Sequence, residues 1–384
     1  MNIGIIGCGK IADQHVEQIL RIPGCKIVAV CDSEELMARQ LYERFPVKHY
    51  FRETDRLLDA VGPGGVVHIT APPLSHYELG MRSLDAGCHV YMEKPFTVNA
   101  TEAASLLRKA EEKDLKVTAG HNAQFTHAAC RMRDLVRSGY LGGPPVHMEA
   151  YYCYNLGDQA YAKALLGDSG HWVRRLPGKL LHNIISHGIS KIAEFLPGEK
   201  LNVIAHGFPS RLLRSIGESD IVDELRVIID DGNDVTAYFT FSTQMHPALR
   251  QLRLYGPKNA LIVDDDQQTT VRLNGTKYKS FLDQFIPPWV IAKEYAGNSF
   301  INVKKFLQRD FHSNHGMKFL FDSFYRSVKG EGPVPIPYKE ILLTTKLMDK
   351  IFSLLQENKN TNQHVDTCLP KELSTSIPSI GSPT

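Results

Sequence analysis

The first twelve residues, MNIGIIGCGKIA, constrain the fold more than any other stretch. An apolar strand, Ile3 to Ile6, runs directly into Gly7-Cys8-Gly9-Lys10-Ile11-Ala12 and on into a helix. This passage is that of a buried parallel strand ending in a tight turn. Gly7 and Gly9 have no side chains, so the backbone there can approach a pyrophosphate closely. Ala12 takes the third small position, where helix and strand must pack together. The helix that opens at Lys10 and Ile11 offers free N–H groups to an anion. The next strand, Lys26 to Cys31, ends in Asp32, where a carboxylate grips the diol of an adenosine ribose. Asp32 also stands where a cap of the following helix would stand, since Asp is a common N-cap. An acid at this point repels a 2′-phosphate, and Ser33-Glu34-Glu35 supply no cation to bind one. NAD is therefore expected in preference to NADP.

At 384 residues the chain suits two domains. Its 43% hydrophobic and 22% charged content is that of a soluble globular protein. A net charge of +2 gives no strong field toward nucleic acid or an anionic membrane, so neither is expected as a partner. Seven cysteines are scattered singly without a CxxC pair, which points to reduced thiols in the cytoplasm rather than to disulfides. The sixteen histidines form no HxH or HExxH arrangement, and no metal is expected. The chain enters a core strand at once, leaving no room for a signal peptide, and no apolar run approaches the ~18 residues that span a bilayer.

From residue 1 to 121, strands and helices alternate, which predicts an α/β fold with a doubly wound, parallel Rossmann sheet. Its later strands, Gly65 to Thr70 and His89 to Met92, run into Ala71-Pro72-Pro73 and Glu93-Lys94-Pro95. After His121 the pattern changes to a second α/β domain, 122–356, built on a mainly antiparallel open sheet, with a helix spanning about 178–195. An open sheet needs cover on both faces, which a homodimer or homotetramer can supply. A last helix, Lys339 to Gln356, precedes a polar segment, 357–384, that reads as a disordered tail.

Four features in order, Gly7-Cys8-Gly9-Lys10-Ile11-Ala12, Ala71-Pro72-Pro73-Leu74-Ser75-His76, Glu93-Lys94-Pro95 and a helix carrying Asn183 and His187, resemble the Gfo/Idh/MocA oxidoreductases. The resemblance covers about residues 1–350. It implies a cis peptide before Pro95, and it implies that Lys94 and His187 meet at the nicotinamide. Lys94 stands at the carboxyl end of a parallel strand, where ligands of such sheets bind. An ammonium there can hydrogen-bond a substrate hydroxyl and stabilise a developing alkoxide. His187 can take the hydroxyl proton. Asn183 precedes it by one helical turn and replaces the aspartate commonest in the family; it can orient hydroxyls but cannot take a proton. A surface lysine paired with Glu93, and a satisfied helix histidine, are the plainer alternatives.

Pro72, His76 and Asn122 are further expected contacts of the cofactor, together with Ala71 and Glu93. Tyr154, Asn155, Trp172 and Arg174 are expected to meet the substrate, with Arg175 beside them. The reading that results is an NAD-dependent oxidoreductase acting on a carbinol of a sugar, cyclitol or nucleotide-sugar. Two alternatives use the same parts: an NAD-retaining enzyme that cleaves glycosides by elimination, and a non-catalytic NAD(H) sensor.

Overall fold

Short runs of three to six residues, most of them rich in apolar side chains, become the strands of a parallel sheet. The computed structural model describes residues 1–154, 170–198, 200–311 and 315–368, with residues 166 and 168 between the first two spans, and side chains to residue 358. Asn155 therefore lies outside the described residues. In chain order the first unit comprises β1 (Asn2–Ile6), α1 (Lys10–Ile19), β2 (Lys26–Cys31), α2 (Glu35–Arg44), β3 (His49–Phe51), α3 (Thr54–Val61), β4 (Val66–Ile69), α4 (His76–Asp85), β5 (His89–Met92), α5 (Ala100–Glu112) and β6 (Val117–Ala119). The strands pair in parallel in the order β3-β2-β1-β4-β5-β6. Sequence order reverses between β1 and β4, which is the switch point where the carboxyl ends of such strands leave a crevice. β4 and β5 are buried along their whole length, as the continuous Val66-Val67-His68-Ile69 and His89-Val90-Tyr91-Met92 runs require of a sheet covered on both faces.

The second unit begins with α6 (His127–Arg137) and β7 (His147–Cys153). Then come α7 (Lys179–Ile184), α8 (Ser186–Ala193), β8 (Asn202–Phe208), α9 (Arg211–Ser215), β9 (Glu224–Asp230), β10 (Thr236–Ser242), β11 (Arg250–Tyr255), β12 (Asn259–Asp264) and β13 (Thr269–Asn274). Its sheet has the order β13-β12-β11-β7-β10-β9-β8, and the single parallel pair is β7 with β10. Leu225, Val227, Ile229, Ala237, Phe239 and Phe241 alternate inward to a second core. Ile228 and Tyr238 alternate outward and stay exposed.

α10 (Leu282–Leu307), α11 (His315–Val328) and α12 (Tyr338–Cys368) complete the chain. Sequence reasoning found neither α10 nor α11. Met317, Leu320, Phe321, Phe324 and Tyr325 of α11 insert into the first core, so the chain returns to the parallel sheet after building the second. The last helix also outruns its expected end. It continues from Gln356 to Cys368, through a segment expected to be disordered, because no proline interrupts it until Pro370. Among the described residues no helix is long and apolar enough to cross a membrane.

Candidate active site

Four chain segments converge at the carboxyl edge of the parallel sheet: the glycine turn after β1, the Ala71 loop after β4, Glu93-Lys94 after β5, and His121 after β6. Gly7 has φ +96°, and a Cβ on it would lie 2.5 Å from the Ala71 nitrogen, so the turn and the Ala71 loop are in direct backbone contact. A Cβ on Gly9 would meet nothing within 4 Å. The space over Gly9 and the start of α1 is open, and no side chain caps α1. This is the cradle that a dinucleotide pyrophosphate needs. Asp32 is partly exposed beside it, accepting from the Cys8 N–H at 2.7 Å and the Glu34 N–H at 2.9 Å. One carboxylate thus braces the glycine turn and also takes up the N–H just before α2. Asp32 stands two residues before Glu34, the N-cap of α2, and makes no capping bond to that helix. The residues fit an NAD diphosphate and ribose. Arg52, exposed at the end of β3, donates to the Ser33 carbonyl at 3.1 Å, a cation near Asp32 that the local sequence did not disclose.

His76 is fully buried at the start of α4. Its Nε2 lies 2.8 Å from the Ala71 carbonyl and its Nδ1 lies 2.9 Å from the Pro95 carbonyl. It ties the β4 loop to the Lys94 turn, and burial holds its pKa below the usual histidine value. Pro72 is exposed on the same loop. The peptide between Lys94 and Pro95 is cis, as the resemblance implied.

The Lys94 side chain crosses from the parallel sheet to the second unit. Its Nζ donates to the backbone carbonyl of Asn183 at 2.9 Å. Burial lowers the Lys94 pKa, and the Glu93 carboxylate partly restores it. The contact lands on the main chain of Asn183, whereas sequence reasoning had put the Asn183 side chain to use. The helix expected over 178–195 is also interrupted: α7 ends at Ile184, and α8 begins at Ser186 after Ile185. Asn183 and His187 therefore sit on successive short helices and not on one continuous face.

His187, on α8, lines a cleft of ≈ 210 Å³ with Asn122, Tyr152, Arg250, Asp265 and Gln268. Its ring stacks on Tyr152 at 5.3 Å between centroids and 21° between planes. Nδ1 is enclosed and has no hydrogen-bond partner among the described residues. Burial, reinforced by the nearby charges of Lys94, His121, Lys191 and Arg250, holds the His187 pKa well below the ordinary value. The imidazole is neutral at neutral pH and can accept a proton. His121 is buried between the Glu93-Lys94 turn and His187, and burial takes its pKa down to about 4.

Several members of this cluster escaped sequence reasoning. Lys191 stands one turn after His187 on α8 and is ion-paired with Asp265, whose Oδ1 is left without a partner. Arg250 faces Tyr152 directly across the β11–β7 pairing, and is ion-paired with Asp266 at 2.6 Å. The i, i+4 spacing of His187 and Lys191 was a legible signal. The register of β11 against β7 was not. Of the expected substrate contacts, Tyr154 continues β7 toward the cleft and feels the Arg250 charge. Trp172 is half-buried and stacks on His171, with ring centroids 5.6 Å apart. Arg174 is held by Glu218 at 2.8 Å, a partner that competes with any substrate anion, while Arg175 is exposed. Among the described residues no three His, Cys, Asp or Glu side chains gather as a metal site.

Residues 1–121 match the sequence profile GFO_IDH_MocA, an oxidoreductase family with an NAD-binding Rossmann fold. Over this Rossmann unit the chain is similar to the Gfo/Idh/MocA oxidoreductases. Along most of its length it is 21% identical, over 288 residues, to myo-inositol 2-dehydrogenase of Thermotoga maritima, covering 73% of this chain and 82% of that protein. It is 30% identical over 143 residues to D-glucoside 3-dehydrogenase of Escherichia coli, but that match spans only 37% of this chain and 40% of the relative. In three dimensions it superposes on the WlbA dehydrogenase from Bordetella pertussis, in complex with NADH and UDP-GlcNAcA, with a TM-score of 0.70 at 13% identity, covering 93% of this chain and 96% of the other. That likeness is one of fold. NAD is the cofactor of this family's Rossmann domain, and the glycine cradle and Asp32 suit it.

Proposed function

We propose that this protein oxidises, or in reverse reduces, a ring carbinol of a sugar, cyclitol or nucleotide-sugar, with Lys94 and His187 acting on the same oxygen. The single observation that carries this reading is the Lys94 Nζ contact with the Asn183 carbonyl, which brings the end of β5 against the segment that bears His187. When bound, NAD supplies the hydride acceptor. The chain's own residues manage the oxygen. The Lys94 ammonium donates a hydrogen bond to it, and can exchange the Asn183 carbonyl for the substrate oxygen as charge develops there. His187, held neutral, takes the hydroxyl proton. Asn122, Arg250 and Asp265 line the same cleft and are placed to select among hydroxyl and anionic groups. The names of the matched inositol and glucoside dehydrogenases, and the UDP-GlcNAcA held by the WlbA dehydrogenase, support this substrate class.

We assign 1–121 to cofactor binding, 122–356 to substrate binding and assembly, and 357–384 to a polar tail, with 317–341 lending side chains back to the first core. Ile204, Ile228 and Tyr238 on the open sheet, together with Trp289 of α10 at 78% exposure, support self-association as a dimer or tetramer, which light scattering will report. The six described cysteines are unpaired, which supports a cytoplasmic setting. The test of function is a panel of inositols, sugars and UDP-sugars incubated with NAD and followed by nicotinamide absorbance. Net NADH formation with one class supports the reading. No NADH formation with any member, and no NADH oxidation with the corresponding ketones, contradicts it.

A further inference from the structure

Behind the Lys94 turn lies a closed chain of buried polar groups that sequence spacing gave no reason to connect. His15 on α1, His68 on β4 and Tyr325 on α11 are 0%, 0% and 1% exposed. His15 Nε2 is 2.9 Å from Glu93 Oε1, and His15 Nδ1 is 3.0 Å from His68 Nδ1. His68 Nε2 is 2.7 Å from the Tyr325 hydroxyl. The other Glu93 oxygen accepts from the Lys94 backbone N–H at 3.1 Å. Aromatic rings seal the chain from water. Tyr91 stacks on His68 with centroids 4.7 Å apart, and Phe321 meets the edges or faces of His15, His68 and Tyr91 at 4.7–5.0 Å.

With Glu93 ionised and both imidazoles neutral, only one proton arrangement satisfies every link. Tyr325 O–H donates to His68 Nε2. His68 then carries its proton on Nδ1 and donates to His15 Nδ1. His15 in turn carries its proton on Nε2 and donates to Glu93. Removing the Tyr325 hydroxyl strips His68 Nε2 of its donor, so that the tautomers of both rings are then held only from the Glu93 end of the chain.

We propose that His15, His68 and Tyr325 are positioning residues that act through Glu93 to keep Lys94 an ammonium aimed at the substrate oxygen. This rests on the reading of Lys94 as the active-site cation. The titratable groups that face Glu93 or Lys94 are His15 from α1, Tyr91 from β5, His76 from α4, His121 from the β6 loop and His187 from α8. Of these, His15 is the one hydrogen-bonded to the Glu93 side chain. Burial tends to raise the Glu93 pKa, but the His15 hydrogen bond, with the Lys94 charge and backbone N–H, outweighs it, and Glu93 stays below the usual carboxylate value.

The experiment uses the full chain and needs no substrate. Histidine side-chain ¹⁵N NMR should find the Nε2–H tautomer at His15 and the Nδ1–H tautomer at His68, and in Tyr325→Phe should find both kept while the His68 Nε2 signal shifts on losing its donor. Lysine ¹³Cε NMR, with the Lys94 signal assigned by its loss in Lys94→Arg, should show Lys94 titrating about one pH unit or more lower in His15→Leu. His15→Gln, whose amide N–H can still reach Glu93, should restore most of the wild-type value. Thermal melting of each variant separates this shift from a loss of fold. Opposite tautomers in the wild type overturn the proposal. So does an unmoved Lys94 titration in folded His15→Leu, or, if that variant does not fold, an unmoved His68 Nε2 signal in Tyr325→Phe. If the tautomers and titrations hold while no polyol in the panel is oxidised, the proposed reaction fails and the relay stands.

Discussion

Lys94 and His187 illustrate how little a residue's type says before its surroundings are known. Sixteen histidines are present, and the one we propose for proton transfer is distinguished by the cations and aromatic ring around it, not by a local motif. The lowered His187 pKa has a testable sign. A base must be neutral to work, and burial beside cations keeps His187 neutral to well below pH 6.5. The acid limb of kcat/KM, measured on the polyol that responds in the panel, should therefore fall below pH 6.5, whereas a solvent-exposed histidine would place it there. At Asp32 the prediction concerns the cofactor. Asp32→Ser removes the charge that opposes a 2′-phosphate and leaves Arg52 nearby. The ratio of NADP to NAD affinity, read by nucleotide titration, should rise by about fivefold or more, the equivalent of ~1 kcal/mol for a charge pair in water.

At the scale of elements, α8 depends on a close approach to the sheet. A Cβ on Gly188 would lie 2.3 Å from Phe239 Cε2 on β10. Gly188→Ala should lower stability by about 1–3 kcal/mol in a denaturant melt and, by displacing the adjoining His187, reduce turnover. Gly297→Ala on α10, where nothing lies within 4 Å, should raise stability by about 0.4–1 kcal/mol. The contrast explains what was legible. The parallel sheet announced itself because most of its strands are short apolar-rich runs, and the ends of those runs placed Gly7, Asp32 and Lys94 at one edge. α10 was hidden because Pro287-Pro288 reads as a break, and because Phe285, Trp289 and Phe300 face outward instead of toward a core. It is held instead by Asn298, whose side chain hydrogen-bonds both the N–H and the carbonyl of Thr270 on β13. Arg250 and Asp265 were illegible for a related reason: strand register, not spacing along the chain, brings them to His187. His15 and His68 are 53 residues apart, and only the packing of α1 on β4 unites them.

Across the whole molecule, buried neutral histidines make stability depend on pH. His121 and His182 titrate at about 4 when folded, against about 6.5 for an unperturbed histidine. Between these values the unfolded chain binds protons that the folded chain refuses, so stability is lost as pH falls below 6.5. At pH 5 each contributes a loss on the order of 2 kcal/mol. Glu340 runs the other way. Its pKa is raised to about 7 by burial and by Glu194, so acidification to pH 5 returns about as much as one histidine removes. His68, His76 and His187, all lowered, add to the loss. The melting temperature should accordingly drop between pH 7 and pH 5, and a flat profile would mean that these histidines are not buried in neutral form.

The claim on which the account rests is that an amine from the parallel sheet and an imidazole from the second unit act on one oxygen. A double-mutant cycle in kcat/KM, with Lys94→Met, His187→Leu and the combined variant assayed on the same polyol while NADH binding is checked by fluorescence, measures this directly. Each single variant should lose about 10²–10⁴-fold. The double variant should lose little more than the worse single, because two groups serving one proton and one charge fail together. Losses that multiply, with NADH binding intact, would show that Lys94 and His187 act independently and would contradict the account.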